Sequence, residues 1–518
     1  MIRILDNANI LLSRLGSLRG HSRTLHHARF ALPHELEPLI IHTFSETALL
    51  LAATHLGGIY RVTPTRKRRE LGNLLVCAPP RSGKSILAMS QLLTWPHSVV
   101  VVDIKGELYR NTAGYRSTLG PVYVIDPEGY GNQYDPLQGI TDEDALYTVA
   151  KNLLFDPKEA DGRSFTEWGI LLEVLKWQAC LELNRKTGAN YRLLPFSRAL
   201  GKLGINPAAA ALNAISPPIA QEMLDGEYDP EENYKENKYF ANSWQSSRAR
   251  MYPLLTEKVV RCLNGSDFTG KDLIAGEAPV SVYLRVPEGS LEAKAPLIRL
   301  VLESLTTEMF ATFDKPQGRI CRPVLVLIDE AGTVGFAQLP HYSSTCAGRG
   351  ISFWVALQDL SQLDGLYTTH KARTIRNNMG AKVFFRPEDY QTAKSISDTL
   401  GFTSGYSHSE TLREGEVASE GRSEQAVAVL TTRELMELDD RDTIFFYKNL
   451  KPGRGLRLEY WGFPLLEHRR AIAAPPVKEL PPVSGFALPD SDGLSASSRA
   501  WRSTGNNLRF PIDPDDLN

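Results

Sequence analysis

The stretch that most constrains this chain is Ala78–Ser85, which reads Ala-Pro-Pro-Arg-Ser-Gly-Lys-Ser. It follows the apolar run Leu74–Cys77, which is typical of a short buried strand, and it precedes Ile86–Leu93, whose apolar spacing predicts a helix. Strand, tight turn and helix in this order form the context of a phosphate-binding loop, in which inward-facing backbone N–H groups hold an anion. The positive end of the helix dipole strengthens that attraction.

Every residue of the loop is a predicted nucleotide ligand: Ala78, Pro79, Pro80, Arg81, Ser82, Gly83, Lys84 and Ser85. We expect Lys84 to reach the β- and γ-phosphates of ATP, and the Ser85 hydroxyl to join the ligand shell of Mg²⁺. Ala78 stands where the usual pattern has its first glycine, which is acceptable if that residue has a negative φ. Gly83 has no substitute, because the backbone there must approach the phosphates closely.

Bulk properties narrow the class of protein. The chain has 518 residues, enough for two or more domains, and its net charge of -2 gives no overall attraction to a polyanion. A nucleic-acid site must therefore be a local basic patch, such as the lumen of a ring.

The five scattered cysteines show no metal-binding spacing and suggest a reducing compartment. The best membrane candidate, 38–62, is interrupted by His42, Ser45, Glu46 and His55 among others, and no signal peptide is evident.

Apolar, β-branched runs after the loop predict a doubly wound, mostly parallel α/β sheet. The predicted strands are Ser98–Asp103, Pro121–Asp126, Pro279–Val286, Val324–Glu330, Ile351–Gln358, Ala381–Phe385 and Thr443–Lys448, with Gly57–Val62 as an edge strand. Residues 141–262 lack such runs and show helical spacing, which predicts an all-helical insertion. Ser404–Gln425, rich in Ser, Gly and Glu, is predicted to be a mobile loop.

These patterns predict four parts of the chain. Residues 1–56 form an N-terminal segment of short helices without a transmembrane helix, 57–140 and 263–465 form a split nucleotide-binding domain, 141–262 form the helical domain, and 466–518 form a disordered tail.

Asp329 and Glu330 end the most apolar strand of the chain. Because the carboxyl ends of parallel strands face the ligand crevice, Asp329 is placed to hold Mg²⁺ and Glu330 to polarise the attacking water as a general base. A pair of acids that caps a following helix is the structural alternative. Gln358 ends the next strand and could sense the γ-phosphate, although a strand-end polar residue of no further role explains it equally well.

Phosphoryl transfer also needs positive charge in its transition state, which ring ATPases supply with an arginine from the next subunit. Arg349 is the first candidate and Arg376 the second, and either could equally be an ordinary solvated arginine. Candidates to line a DNA channel are Tyr109, Arg110, Arg116, Lys371, Arg373 and Arg376.

With these residues in view, the chain resembles the type IV secretion coupling proteins of bacterial conjugation, the TraG/TraD-like ATPases. The most diagnostic segments are 80–85, which looks like the family's phosphate loop, and 102–108 (Val-Asp-Ile-Lys-Gly-Glu-Leu), which looks like its "DPKGEL" segment with Ile104 in place of proline. Further matching segments follow in the family's order at 165–168, 266–268, 329–330, 348–351, 358–363 and 392–397.

The resemblance implies a RecA-like P-loop NTPase with an inserted all-helical domain that recognises substrate, assembled as a homo-hexamer. It implies ATP hydrolysis, with Mg²⁺, that moves DNA or a relaxase–DNA complex to a type IV secretion channel or its membrane subunit. It carries over Lys84 and Ser85 as nucleotide and Mg²⁺ ligands, Asp329 and Glu330 as the Walker B pair, Gln358 as sensor and Arg349 as the arginine acting in trans. Family members usually carry N-terminal transmembrane helices, whereas none is expected in this sequence. The chain is therefore expected either to dock onto a membrane partner or to be a soluble relative, in the cytoplasm or peripherally at the inner face of the membrane.

Two alternatives stay open. One is a DNA translocase of the FtsK/HerA type that is not tied to secretion. The other is a nucleotide-gated adaptor that recruits cargo and barely turns over, against which the complete set of Lys84, Asp329 and Glu330 argues.

Overall fold

The apolar runs of the sequence form the middle of a 13-stranded sheet. The computed structural model of the chain describes residues 27–41, 44, 47–64, 70–154, 163–315, 321–336, 338–413 and 416–483. The strands are β1 (Ile40–Ile41), β2 (Leu49–Ala53), β3 (Ile59–Val62), β4 (Leu74–Cys77), β5 (Ser98–Asp103), β6 (Val122–Asp126), β7 (Tyr130–Gly131), β8 (Ser281–Arg285), β9 (Val324–Ile328), β10 (Ile351–Leu357), β11 (Ala381–Phe384), β12 (Phe402–Arg413), β13 (Glu416–Ala428), β14 (Asp442–Tyr447) and β15 (Gly453–Leu456).

The large sheet has the order β1-β3-β2-β15-β14-β11-β4-β10-β9-β5-β8-β6-β7. The run from β11 to β6 is parallel throughout, and antiparallel strands extend it on both sides. Parallel strands buried on both faces must be apolar throughout, which is why they were readable as continuous runs. The prediction of a mostly parallel α/β sheet is confirmed.

Helices cover both faces of this sheet. They are α1 (Pro33–Leu36), α2 (Lys84–Thr94), α3 (Glu107–Leu119), α4 (Glu143–Leu153), α5 (Arg163–Thr187), α6 (Leu193–Lys202), α7 (Ile205–Ile215), α8 (Pro217–Leu224), α9 (Lys238–Met251), α10 (Glu257–Cys262), α11 (Gly270–Ala275), α12 (Leu291–Phe313), α13 (Ala331–Val334), α14 (Leu339–Thr345), α15 (Ser361–Leu366), α16 (Thr369–Asn378), α17 (Tyr390–Leu400), α18 (Thr432–Met436) and α19 (Pro464–Arg470). None of the helices in the described part of the chain combines the length and the apolar character that crossing a membrane requires.

Alternate residues of each central strand enter two separate cores. In β4, Leu75 and Cys77 pack on one face of the sheet, whereas Leu74 and Val76 pack on the other. The second core also contains apolar residues of α2 and α3, and the first contains those of α12 and of the helices between β7 and β8. Two cores, one on each face, are the arrangement expected of a doubly wound sheet.

The region between β7 and β8 contains helices and no strand within its described residues. The long helix α5 packs against α4, α6 and α9. A buried ion pair lies inside this group, where Lys176 Nζ contacts Glu173 Oε1 at 2.8 Å. The helical insertion is therefore present, while the domain boundaries assigned from the sequence stay a prediction.

At the N-terminal side, the structure corrects the expectation of short helices up to residue 56. After α1, strands β1 and β2 belong to the large sheet, and β2 pairs with both β3 and β15. The strand β3 is therefore not an edge strand, because it lies between β1 and β2. The five-residue apolar run of β2 is buried within the sheet, which explains its composition.

The predicted mobile loop Ser404–Gln425 is also wrong where the structure describes it. Strands β12 and β13 form a separate two-stranded antiparallel ribbon, in which Ser404 is opposite Ala426. The sequence of this ribbon lacks the alternation of apolar and polar residues that indicates a half-buried strand. Its backbone groups nevertheless satisfy one another across the pair.

The predicted disordered tail needs a correction over its described part, 466–483. Helix α19 is followed by an extended segment, 471–483, which we call the C-terminal strap. Tyr109 Oη donates to Pro475 O at 2.6 Å, Gly131 N donates to Lys478 O at 2.7 Å, and Leu480 N donates to Gly129 O at 2.8 Å. The strap thus crosses α3 and reaches the β7 edge of the sheet. The rest of the predicted tail, 484–518, lies outside the described residues.

Candidate functional site: the crevice at the carboxyl ends of the parallel strands

The predicted phosphate loop joins β4 to α2, as the motif requires. Gly83 adopts a left-handed conformation with φ 103° immediately before the first residue of α2, Lys84. Within the described chain, positive φ outside glycine occurs at Arg81, Asp225 and Lys448, so Ala78 occupies its position without that strain. The loop is closed internally, because Ser82 Oγ donates to Pro79 O at 2.6 Å.

Sheet order brings the other predicted residues to the same edge. Strand β10 lies between β4 and β9, and β5 lies beyond β9. Gln358 follows β10, Asp329 and Glu330 follow β9, and Asp103 ends β5. Because these strands are parallel, their carboxyl ends lie at the same edge of the sheet, next to the phosphate loop and the N-terminus of α2.

Four predicted side chains meet in this crevice. Lys84 Nζ contacts Glu330 Oε2 at 2.7 Å and lies 4.0 Å from Asp329 Oδ1. Gln358 Nε2 donates to Glu330 Oε1 at 3.2 Å. The glutamate is thus held between a cation and an amide, which fixes its carboxylate at the mouth of the crevice.

The structural alternative for the two acids can be compared with this geometry. Helix α13 starts directly after Glu330, but the Glu330 side chain makes no capping hydrogen bond to that helix. Its partners are Lys84 and Gln358 instead. The arrangement therefore favours a role in the crevice over a role in helix capping.

Asp329 is more deeply buried than Glu330, with a side chain 11% exposed against 15%. Burial raises the pKa of its carboxyl to about 6, a net result in which Lys84 opposes the shift and the nearby charges of Asp103 and Glu330 add to it. Its Oδ1 atom is buried and has no hydrogen-bond partner. A buried unsatisfied oxygen is costly, and a hydrated cation would satisfy it.

This orphaned oxygen and the Ser85 hydroxyl fit the proposed magnesium site. Mg²⁺ is usually held by one or two protein oxygens together with water and substrate phosphates. Among the described residues, no group of three or more His, Cys, Asp or Glu side chains could hold a metal ion.

The structure does not bring Arg349 into this crevice. Arg349 lies before β10, at the opposite end of that strand from Gln358. Its guanidinium donates to both carboxylate oxygens of Asp314, at 3.1 and 3.0 Å, and lies 4.3 Å from the ring centre of Phe310. The second candidate, Arg376, donates two bonds of 3.0 Å to Asp364 on the surface.

Two of the predicted DNA-channel residues are wrong. Arg116 is fully buried, donates to the carbonyl oxygens of Trp95 and His97, and contacts Ser281 Oγ at 2.9 Å. Tyr109 is only 4% exposed and is tied to the C-terminal strap. Arg110, Lys371 and Arg373 are exposed but lie on two different helices, α3 and α16.

Asp103 is a residue of the crevice to which the sequence reasoning gave no role. Its carboxylate accepts the backbone N–H of Tyr109 at 2.7 Å, in the first turn of α3, and its charge raises the pKa of Asp329. Burial raises the pKa of Asp103 itself, although the backbone N–H groups of α3 oppose this. Its position at the end of an apolar strand, in the diagnostic segment 102–108, was the available signal.

Two models of protein families match separate parts of this chain. Residues 51–161 match the family model described as type IV secretory system conjugative DNA transfer. Residues 323–440 match the model described as the TraM recognition site of TraD and TraG. The two matches contain the phosphate loop and the Asp329–Glu330 pair respectively, and neither favours the FtsK/HerA-type or adaptor alternatives.

Curated relatives are similar over most of this chain. The VirD4 protein of Rhizobium radiobacter is 27% identical over 408 residues, which is 76% of this chain and 57% of the relative. A conjugal transfer protein TraG of Escherichia coli is 25% identical over 398 residues, covering 71% of this chain and 60% of the relative. The chain thus spans about three-fifths of the length of these two proteins.

Solved structures support the same fold. The unbound coupling protein TrwBΔN70 aligns with a TM-score of 0.62 at 17% identity, covering 84% of this chain and 94% of that chain. TrwB in complex with ADP and Mg²⁺ aligns with a TM-score of 0.61 over 85% of this chain. The RecA-like P-loop NTPase fold is therefore confirmed.

Proposed function

We propose that the chain is a type IV secretion coupling protein of the TraG/TraD-like family, an ATP-driven motor that delivers DNA to a secretion channel. The cargo is DNA or a relaxase–DNA complex, moved toward a type IV secretion channel or its membrane subunit. The observation that carries the proposal is the convergence of Lys84, Asp329, Glu330 and Gln358 beside the phosphate loop.

Each side chain has a task in this proposal. Lys84 leaves Glu330 and binds the β- and γ-phosphates, because a triphosphate offers it more negative charge than one carboxylate. Glu330, released from the lysine, accepts a proton from the attacking water, and Gln358 keeps the carboxylate oriented through its amide. Ser85 and Asp329 would hold Mg²⁺, which would neutralise charge on the phosphates.

Arg349 is assigned to the neighbouring subunit's nucleotide in a homo-hexamer. It lies at the far end of β10 from its own crevice, so it does not act on the nucleotide bound there. Its ion pair with the half-exposed Asp314 does not prevent this, because surface pairs are worth about 0.2–1 kcal/mol and can exchange.

The partners follow from the same family. Residues 323–440, which match the TraM recognition model, are proposed to contact a relaxosome protein, and the helical insertion to recognise the relaxase or its DNA. The chain would move DNA in the cytoplasm, or at the inner face of the membrane if the channel's membrane subunit recruits it.

DNA-stimulated ATPase activity tests the proposal. We expect single-stranded DNA to raise the ATPase rate of the purified chain, and Lys84→Ala to lower that rate at least about 100-fold. Lys258→Ala is the matched control, since Lys258 also pairs with a glutamate, Glu128, at 2.8 Å, but on the surface. Absence of ATPase activity in the wild type with DNA, or full activity in Lys84→Ala, would overturn the motor.

A further inference from the structure

Arg457 reaches the phosphate loop from the antiparallel half of the sheet. It directly follows β15, which is separated from β4 by β14 and β11 in the sheet order. Its Nη1 atom donates to Ser82 O at 3.0 Å. This residue lies beyond both family-model matches, and nothing in the loop motif anticipates it.

The loop and the arginine are fitted to each other. A Cβ atom built on Gly83 would lie 2.4 Å from Arg457 Cδ and 3.1 Å from its Nε. The space beside Gly83 is therefore occupied by the Arg457 side chain, in addition to the positive φ that already disfavours other residues. A side chain at position 83 would therefore have to displace Arg457 from the loop.

The guanidinium is held in place by a second acid. Glu459 Oε1 accepts from Arg457 Nε at 3.0 Å and from Nη2 at 2.6 Å. The two side chains are only 17% and 11% exposed, so the pair is largely shielded from water. Glu459 also contacts the exposed Arg441 at 3.2 Å. Because Glu459 takes two of the donors, Nη1 is aimed at the loop.

We propose that Arg457 is a positioning residue that orients the Ser82–Gly83 peptide for nucleotide, an inference that rests on the proposed ATP site. In a planar trans peptide the carbonyl oxygen and the N–H point in opposite directions. Fixing Ser82 O on Arg457 therefore turns the Gly83 N–H away from Arg457 and toward the interior of the loop. That N–H is one of the donors that a phosphate requires.

Steady-state kinetics with ATP separates positioning from catalysis. We expect Arg457→Ala to raise KM for ATP about tenfold, the loss typical of one charge-assisted hydrogen bond, with kcat within about twofold of wild type. Arg457→Lys, which can supply one donor but cannot bind Glu459 with two, should give an intermediate KM. Arg454→Ala is the control, because Arg454 lies on β15 and pairs with Asp442 at 2.5 Å away from the loop.

A second variant keeps the test decisive if Arg457→Ala folds poorly in thermal unfolding without nucleotide. Glu459→Gln retains the shape of the acid but loosens the guanidinium, and should raise KM about threefold. A KM for ATP in Arg457→Ala or Glu459→Gln equal to that of Arg454→Ala would overturn the positioning role of Arg457. A decrease in kcat without a change in KM would do the same, and in both cases the proposed function would still stand. A wild-type chain that binds no fluorescent ATP analogue would instead overturn the proposed function, and this inference with it.

Discussion

Lys84 and Glu330 form an ion pair in which Lys84 Nζ lies 2.7 Å from Glu330 Oε2. Each is needed elsewhere during hydrolysis, the lysine on phosphate and the glutamate on water. Their contact holds both side chains inside the crevice and makes nucleotide binding an exchange of partners. The effect of replacing Lys84 or Glu330 therefore depends on the loss of this ion pair as well as on the loss of the side chain itself.

Replacing Glu330 by glutamine removes the base and the competing charge together. We expect Glu330→Gln to bind ATP at least as tightly as wild type, because Lys84 no longer leaves an anion, while hydrolysis slows at least about 100-fold. Binding of a fluorescent ATP analogue and single-turnover hydrolysis measure the two effects. Glu437→Gln, at an exposed pair with Arg433, is the control. An unchanged hydrolysis rate would remove Glu330 from the role of base.

His97 gives a pH dependence that is separate from the crevice. Burial, and then the charges of Arg322 and Arg116, lower the pKa of its imidazole to about 4, and its Nε2 atom lies 2.6 Å from Thr47 Oγ1. The unfolded chain, with a histidine pKa near 6.5, therefore binds more protons between about pH 6.5 and pH 4. Stability that is present above pH 6.5 must be lost as the pH falls through that window.

We expect His97→Gln to lessen this acid sensitivity. The midpoint of urea unfolding, measured from pH 7.5 to pH 4.5, should fall more steeply in wild type than in the variant. The difference between the two proteins removes the contribution of all other titratable groups to the pH dependence of stability. Parallel pH profiles would show that His97 does not titrate abnormally in the folded chain.

At the scale of elements, the C-terminal strap depends on one glycine of α3. A Cβ on Gly114 would lie 1.9 Å from Ile472 O and 2.7 Å from Ala473 O. The strap can therefore lie on α3 only where the helix has no side chain. It also contacts Arg261 of α10, whose Nη1 lies 3.4 Å from Glu479 Oε1, so it connects the helical insertion to the sheet.

Gly114→Ala should detach the strap from α3. We expect the free energy of unfolding to fall by about 1–3 kcal/mol, the usual cost of overpacking, and proteases to cleave within 471–483. Gly365→Ala is the control, since nothing lies within 4 Å of a Cβ built on that helical glycine. A strap that stays protected from proteolysis in Gly114→Ala would contradict this account of its attachment.

Elements buried on both sides were the ones that the sequence allowed us to predict. Strands such as β5 and β9 are continuous apolar runs because both faces of the sheet are covered. The ribbon of β12 and β13 was missed, because backbone pairing alone leaves no apolar pattern. The strap was missed for a similar reason, since its recorded bonds use mainly its own backbone carbonyl and N–H groups.

The candidate site divides in the same way. Lys84, Asp329, Glu330 and Gln358 were predictable, because each sits at a strand end or loop whose geometry the local sequence determines. Arg457 was not, because its contact joins positions 375 residues apart and depends on the order of strands. Arg116 was misassigned because an arginine in a helix looks exposed until its burial against Trp95 and His97 is known.

At the scale of the whole molecule, the proposal is that Arg349 of one subunit completes the nucleotide crevice of the next. Mixing Arg349→Ala subunits with Lys84→Ala subunits should give more ATPase activity than either alone. At some interfaces an intact crevice would then face an intact Arg349. Mass in solution must confirm that mixed assemblies form. Confirmed mixed assemblies without any recovery of activity would count against action in trans.

The most direct measurement is a crystal structure of the wild-type chain with a non-hydrolysable ATP analogue and Mg²⁺. The account predicts the phosphates inside the 78–85 loop, Lys84 moved from Glu330 onto them, and the metal between Ser85 and Asp329. An analogue bound elsewhere, or a crevice still closed by the Lys84–Glu330 pair at saturating nucleotide, would contradict it.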